Sequence, residues 1–266
     1  MKKSPIPEVP DDTFGASPTN RSLVRGIQIL RAFRPGSDWL GNGDLAERTG
    51  LSPSTISRLT QTLVTAGMLQ HDRRRRAYRL APPVLSFAHA MRAGSQVLSV
   101  AAPRMRALAE RERVNVGLAA ADNDEMVYLE SIRYNRRVAL RNVVSGQRVP
   151  MELTSLGRAY LSTVPPRRRK ALFDVFQRRC GHHWPEVQSD ILAAIRQVHE
   201  QGFCAASWQP EVVAMAMPLV TAEGIYTLNI SVSTEEALDD VVRELSGSLM
   251  ALAAELQVAL AREAEP

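Results

Sequence analysis

Gly43-Asp44-Leu45-Ala46-Glu47-Arg48-Thr49-Gly50-Leu51-Ser52-Pro53-Ser54-Thr55-Ile56-Ser57-Arg58-Leu59 reads as two short helices joined by a glycine turn. Asp44 is suited to cap the first helix, Leu45 and Ala46 to face inward, and Gly50 to supply the positive φ that ends it. Ser52 caps a second helix that opens on Pro53, a position where a missing N–H costs nothing. Ile56, Leu59 and Leu63 recur at spacings of three and four and so pack inward. That leaves Ser54, Thr55, Ser57, Arg58, Gln61 and Thr62 on the outer face, with side chains that hydrogen bond to base edges and phosphates. The pattern is helix-turn-helix, and the partner it implies is double-stranded DNA.

Ala66-Gly67 ends the second helix. Met68 to His71 and Ala77 to Leu80 then form two strand-like runs flanking Asp72-Arg73-Arg74-Arg75-Arg76. In isolation such a charge run reads as a solvated turn. Directly after a helix-turn-helix it reads as a β-hairpin wing, because guanidiniums that never deprotonate suit phosphates or a narrow minor groove. Upstream, Arg21, Arg25 and Arg31 lie on a helix whose inner stripe is expected at Leu23, Ile27 and Leu30.

The charge is divided unevenly along the 266 residues. Residues 1–95 hold fourteen Lys and Arg against seven Asp and Glu, whereas the rest hold nineteen against twenty-one, so a net +5 separates into +7 and −2. A basic nucleic-acid module joined to a near-neutral domain is the reading that follows. Two cysteines, Cys180 and Cys204, make neither a disulfide framework nor a four-cysteine zinc site. The start, residues 1–20, carries Pro5, Pro7, Pro10 and Pro18 without an apolar core, which fits a disordered tail and not a signal peptide. No apolar run approaches the roughly 18 residues that span a bilayer. The expected location is the cytoplasm, with no membrane contact.

Four segments follow: the tail (1–20), a winged helix-turn-helix (21–81), a linker helix (82–95) opened by Pro82-Pro83, and a second domain (96–266). In the second domain a helix over Val97 to Arg113 precedes strands at Asn115 to Ala121, Met126 to Ser131 and Arg137 to Val143. Helices are expected at Thr154 to Ser162, Pro166 to Arg179 and Ser189 to Gln201. Strands return at Phe203 to Ala206, Val212 to Leu219 and Tyr226 to Ser233. Leu238, Val242, Leu245, Leu249, Leu252 and Leu256 then mark one long amphipathic helix, whose stripe covers either the sheet or a partner subunit. The fold class is α+β.

Together these segments resemble the IclR family of bacterial transcription regulators. Ser22-Leu23-Val24-Arg25-Gly26-Ile27-Gln28-Ile29-Leu30 is similar to the family's opening helix, Leu51 to Leu59 to its recognition helix, and Tyr78-Arg79-Leu80 to the end of its wing. Arg148-Val149-Pro150 with Thr154-Ser155-Leu156-Gly157-Arg158-Ala159 resembles the effector-domain signature. So does Ala214-Met215-Ala216-Met217-Pro218 with Leu228-Asn229-Ile230-Ser231-Val232. The resemblance implies a GAF-like or PAS-like α/β effector domain with an antiparallel sheet, a small-metabolite ligand, and a homodimer or homotetramer. It departs at Pro53, where many members carry a lysine, and at Ala214, where many carry a pocket cysteine. The Thr154 to Arg158 form is similar to the branch that controls breakdown of aromatic compounds.

Mapped from the family, the effector site comprises Arg141, Val149, Met151, Thr154, Ser155, Leu156, Val212, Ala214, Asn229 and Ser231. Free N–H groups at a helix start, beside the Thr154 and Ser155 hydroxyls, favour a carboxylate. Arg141 shares one strand face with Arg137 and Ala139, and it either clamps that carboxylate or faces water. Met151, Met215 and Met217 are either an adaptable lining or plain core. The loop Trp208-Gln209-Pro210-Glu211 either covers the cavity or turns the chain, and Cys180-Gly181-His182-His183-Trp184 reads as a structural loop, not a metal site.

The function expected is a DNA-binding transcriptional regulator controlled by a small carboxylate, with no catalytic residues, cofactor or metal. Against an enzyme stand the missing Gly-x-Ser-x-Gly elbow, P-loop and His-Glu-x-x-His. The remaining alternative is a DNA-organising protein without an effector, which a solid core in the second domain would favour.

Overall fold

The structure, a computed structural model, describes residues 19–134, 144–209 and 211–263. The chain divides into two compact units, one ending at Gly94 and one beginning at Ser95.

In the N-terminal unit α1 (Arg21–Arg31), α2 (Asn42–Thr49) and α3 (Pro53–Thr65) surround a small core of Ile29, Leu40, Leu45, Ile56, Leu59 and Leu69. Gly50 ends α2 at φ 72°, a conformation that costs a residue without Cβ nothing. Ser52 accepts a hydrogen bond from the Thr55 N–H and opens α3, with Pro53 behind it. A short strand β1 (Leu40–Gly41) pairs with β3 (Ala77–Leu80), which pairs in turn with β2 (Leu69–Asp72). α4 (Pro83–Ala93) follows, and none of its residues is buried.

Three details differ from the sequence reading. Asp44 sits at the third helical position, where its Oδ2 accepts from the Gly41 N–H at 2.8 Å, because α2 begins three residues earlier than a cap at Asp44 implies. Asn20, assigned to the tail, caps α1 by accepting from the Ser22 and Leu23 N–H groups. The inner stripe of α1 is rotated: Gly26 and Ile29 are buried, while Leu23 is 63% and Ile27 45% exposed. This helix is apolar on two faces, so spacing alone does not choose between them, and the packing of α1 on α2 and α3 does.

The C-terminal unit is one antiparallel sheet in the order β6-β5-β4-β9-β8-β7. Its strands are β4 (Asn115–Asp122), β5 (Glu125–Ile132), β6 (Arg148–Pro150), β7 (Cys204–Gln209), β8 (Val212–Thr221) and β9 (Gly224–Ser233). The strand expected at Arg137 to Val143 lies outside the described residues, as does Arg141. Alternation along each strand gives the sheet two different faces. Val116, Leu118, Val213, Met215, Leu228 and Ile230 form one core with α5 (Gln96–Glu112) and α9 (Leu238–Glu263). The α9 stripe therefore covers its own sheet, with Val241, Leu245, Leu249, Leu252 and Leu256 buried and Val242 only partly so.

On the opposite face Ala119, Met126, Cys204 and Ala216 pack under α6 (Ser155–Thr163), α7 (Pro166–Cys180) and α8 (Trp184–Gln201). α8 begins five residues earlier than the spacing suggests. The Cys180 to Trp184 loop seats Trp184 edge-on against Phe173 at 5.4 Å, so an aromatic cluster accounts for it. The rest of this face mixes polar residues such as Asn229 and Ser231 with Val212 and Ala214, and it carries the cleft described below.

Candidate functional site

On α3, Ser54, Ser57, Arg58, Gln61 and Thr62 are exposed, while Thr55 is half-buried with its hydroxyl on Ser52 Oγ at 2.9 Å. Thr60, which the spacing left unassigned, is buried and donates to the Ile56 carbonyl at 2.8 Å, so this inward polar group is satisfied within the helix. The wing turn is held by Asp72, whose Oδ1 accepts from the Arg74 and Arg75 N–H groups at 2.8 and 3.1 Å. The Arg75 N–H first, and the Arg74 N–H and nearby cations after it, hold the Asp72 carboxyl below the usual carboxylate range. Arg73, Arg74, Arg75 and Arg76 are all exposed.

Trp39 is a member of this surface that sequence reading missed. The Arg75 and Arg79 guanidiniums lie 5.3 and 5.0 Å from its ring, a cation–π arrangement that orients the wing's charges. Its signal in the sequence is weak, because a lone Trp before a helix-turn-helix reads equally as core.

In the C-terminal unit Thr154 is the cap of α6: its Oγ1 accepts from the Gly157 N–H at 3.2 Å and donates to the Pro150 carbonyl at 2.8 Å. The Thr154 hydroxyl is thus engaged, and the N–H groups at the helix start that remain are those of Ser155 and Leu156. Gly157 is required for the approach of α6 to the preceding turn, since a Cβ there would stand 2.0 Å from the Met151 carbonyl oxygen. Arg158 fastens the same turn by donating to the Glu152 carbonyl at 3.1 Å and to Asp190 of α8 at 3.1 Å. The sequence Thr-Ser-Leu-Gly-Arg is therefore a cap, two helix-start donors, a close approach and a tether.

That helix start opens on a small cleft lined by Tyr128, Val149, Thr154, Ser155, Leu156, Gln209, Val212, Ala214, Asn229 and Ser231. The structure thus brings together eight of the ten residues named from sequence. Met151 is not among them: it is fully buried in the core with Leu156 and Ala159 of α6, so packing claims its side chain. Met215 and Met217 belong to the α5–α9 side of the sheet. Gln209, the last residue of β7, brings the end of that strand to the cleft.

Tyr128 is the other lining residue absent from the sequence reading, since a tyrosine on an alternating strand looks like ordinary core. Burial pushes its phenol well above its usual range, so the group stays protonated. Burial likewise pushes the Cys204 thiol up to about 12, and it donates weakly to the Ser155 carbonyl from below α6. Asn229 and Thr154 are buried, and the apolar walls are Val149, Leu156, Val212 and Ala214. Helix-start donors at one end of an apolar slot suit an anion with a hydrophobic body.

Residues 22–73 match the model of the IclR helix-turn-helix domain, and residues 89–258 match that of the bacterial transcriptional regulator IclR C-terminal domain. The HTH-type transcriptional regulator TsaQ1/TsaQ2 of Comamonas testosteroni is 34% identical over 181 residues, which is 68% of this chain and 64% of that protein. The crystal structure of an IclR family transcriptional regulator from Brucella abortus superposes with a TM-score of 0.83 at 29% identity, covering 91% of this chain and 93% of the other. An IclR homolog from Microbacterium hydrocarbonoxydans, complexed with 4-hydroxybenzoate, has the same fold, with a TM-score of 0.68 at 21% identity over 91% and 99% of the two chains.

Proposed function

Because the chain belongs to the IclR family of bacterial transcriptional regulators, we propose that it binds double-stranded operator DNA through α3 and the β2–β3 wing, and that a small organic acid in the C-terminal cleft controls that binding. The DNA half is supported by a row of exposed hydrogen-bonding side chains on α3 beside four exposed arginines. In this reading Arg58, Gln61 and Ser54 address bases and flanking phosphates, and Arg73 to Arg76 supply affinity that does not depend on sequence.

The observation that carries the effector half is the convergence of the Ser155–Leu156 helix start with the apolar walls of the cleft. The acid's carboxylate takes the N–H groups of Ser155 and Leu156, and its body lies against Val149, Val212 and Ala214. Ala214 widens the slot where a larger residue would fill it, and the 4-hydroxybenzoate bound by the Microbacterium protein favours an aromatic acid of similar size. A tenfold change in operator affinity needs only about 1.4 kcal/mol of coupling between acid and DNA.

The regulator is further inferred to act as a homodimer or a homotetramer of dimers. Leu23 and Ile27 of α1, and Leu85, Phe87 and Met91 of α4, are exposed in one chain, and Val84, Phe87, Ala88 and Met91 share one helical face. Pairing places two recognition helices on a near-palindromic site.

The test is a thermal-shift screen of the full-length protein against carboxylic acids, in which a ligand at one hundred times its dissociation constant adds about 2.7 kcal/mol. An acid that stabilises the protein and changes operator affinity supports the reading, as does its loss in Ala214→Leu with operator binding retained. Stabilisation that survives Ala214→Leu, or no stabilising acid at all, overturns it.

A further inference from the structure

The proposed acid accounts for only some of the polar groups on this face. Tyr128, Asn229 and Ser231 also line a second small recess, together with Asn115, Gly117, Ser131 and Arg133. Asn229 stands where the two spaces meet and lines both. It is 3% exposed, its amide stands beside the Tyr128 phenol, and its Oδ1 has no hydrogen-bond partner among the described residues. The unpartnered atom is an acceptor.

Buried amide oxygens without a donor are rare in folded proteins because each carries the full cost of its lost hydration. This one belongs to a residue that lines both spaces, and it packs against Gly117. A Cβ at residue 117 would come within 2.4 Å of Asn229 Oδ1 and 2.5 Å of the Tyr128 ring, so only glycine permits the pair to sit as it does.

We propose that Asn229 Oδ1 accepts a hydrogen bond from a hydroxyl on the effector, which makes it the residue by which this cleft selects hydroxylated acids over the same acids without the hydroxyl. The inference rests on the reading that the cleft holds an acid with its carboxylate at the start of α6, and it adds the chemistry of the ligand's other end. A site built to satisfy a ligand hydroxyl rejects the analogue lacking it, because that analogue leaves the buried acceptor without a partner.

Calorimetric titration of the full-length protein with benzoate, 3-hydroxybenzoate and 4-hydroxybenzoate tests this. At least one hydroxylated acid is expected to bind about tenfold tighter than benzoate or better. Asn229→Leu is expected to reduce that preference to about twofold or less while benzoate still binds. Benzoate binding as tightly as both hydroxylated acids to the unaltered protein overturns the assignment of Asn229 while leaving the acid site in place, and this comparison does not depend on the variant's folding. A preference that persists undiminished in Asn229→Leu also overturns it. Failure of all three to bind, in a protein that no other carboxylic acid stabilises, removes the acid site and this inference together.

Discussion

The two candidate recognition surfaces are built in opposite ways. On α3 and the wing almost every side chain with a proposed contact is exposed and carries its charge or hydroxyl into solvent. In the cleft, Thr154, Ser155 and Asn229 are buried in the second unit's core. A polyanion is met by long-range attraction and counterion release, for which exposed guanidiniums already have full strength. A small acid offers little charge and little area, so the donors and acceptors that recognise it must be desolvated and positioned beforehand. The first surface therefore tolerates change in its supporting structure, and the second does not.

The largest effect on that contrast is expected from replacing Arg73, Arg74, Arg75 and Arg76 together with alanine. Operator and random DNA should lose affinity in parallel, and the slope of log affinity against log salt should fall by up to about four units, near one per phosphate contact. An unchanged slope in a binding titration at several salt concentrations would leave the wing in solvent. The fold itself should persist, since all four side chains are exposed.

Gly157→Ala probes the buried region with one methyl group. The added Cβ meets the Met151 carbonyl oxygen at 2.0 Å and its Cα at 2.3 Å, both backbone atoms that cannot swing aside. A loss of roughly 3 kcal/mol in chemical denaturation is expected, at the upper end for overpacking, together with weaker acid binding. Stability within experimental error of the unaltered protein would mean that the turn before α6 adapts and that the cleft is less preformed than the contrast requires.

Arg58→Ala is expected to cost about 1 to 3 kcal/mol on the operator and much less on random DNA, relaxing selection at one base position. Equal losses on both DNAs would transfer Arg58 to the phosphate contacts. The smallest effect belongs to Trp39→Ala, which removes the ring beneath Arg75 and Arg79 but no charge. Roughly 0.5–1 kcal/mol of DNA affinity should go, the cation–π scale at exposed sites, with the salt slope unchanged. A slope that falls with Trp39 would show that the ring holds the arginines on their phosphates.

Legibility followed the same division. Gly50, Ser52, Pro53 and the Ile56, Leu59, Leu63 spacing specify the helix-turn-helix from neighbours within a few positions, because caps and turns are local chemistry. The inward face of α1 was misjudged, since Leu23, Ile27, Ile29 and Leu30 give two apolar stripes and only packing against other helices selects one.

In the cleft, the family resemblance led to Thr154, Ser155, Asn229 and Ser231, and the loop at Trp208 to Glu211 offered Gln209 as one of two readings, but Tyr128 and Gly117 gave no readable signal. Their roles come from strand register: Gly117 pairs with Asn229 across β4 and β9, and Tyr128 reaches the same spot from β5. The sequence by itself determined the basic N-terminal unit, the recognition helix and its wing, and the alternation that gives the sheet two faces, all consequences of short-range periodicity and charge. Tertiary structure alone decided that α9 covers its own sheet, that Met151 is core and not lining, and that Asn229 meets the cleft with an unpartnered oxygen. Those outcomes depend on which residues distant in the chain come to lie opposite one another, and no local pattern carries that information.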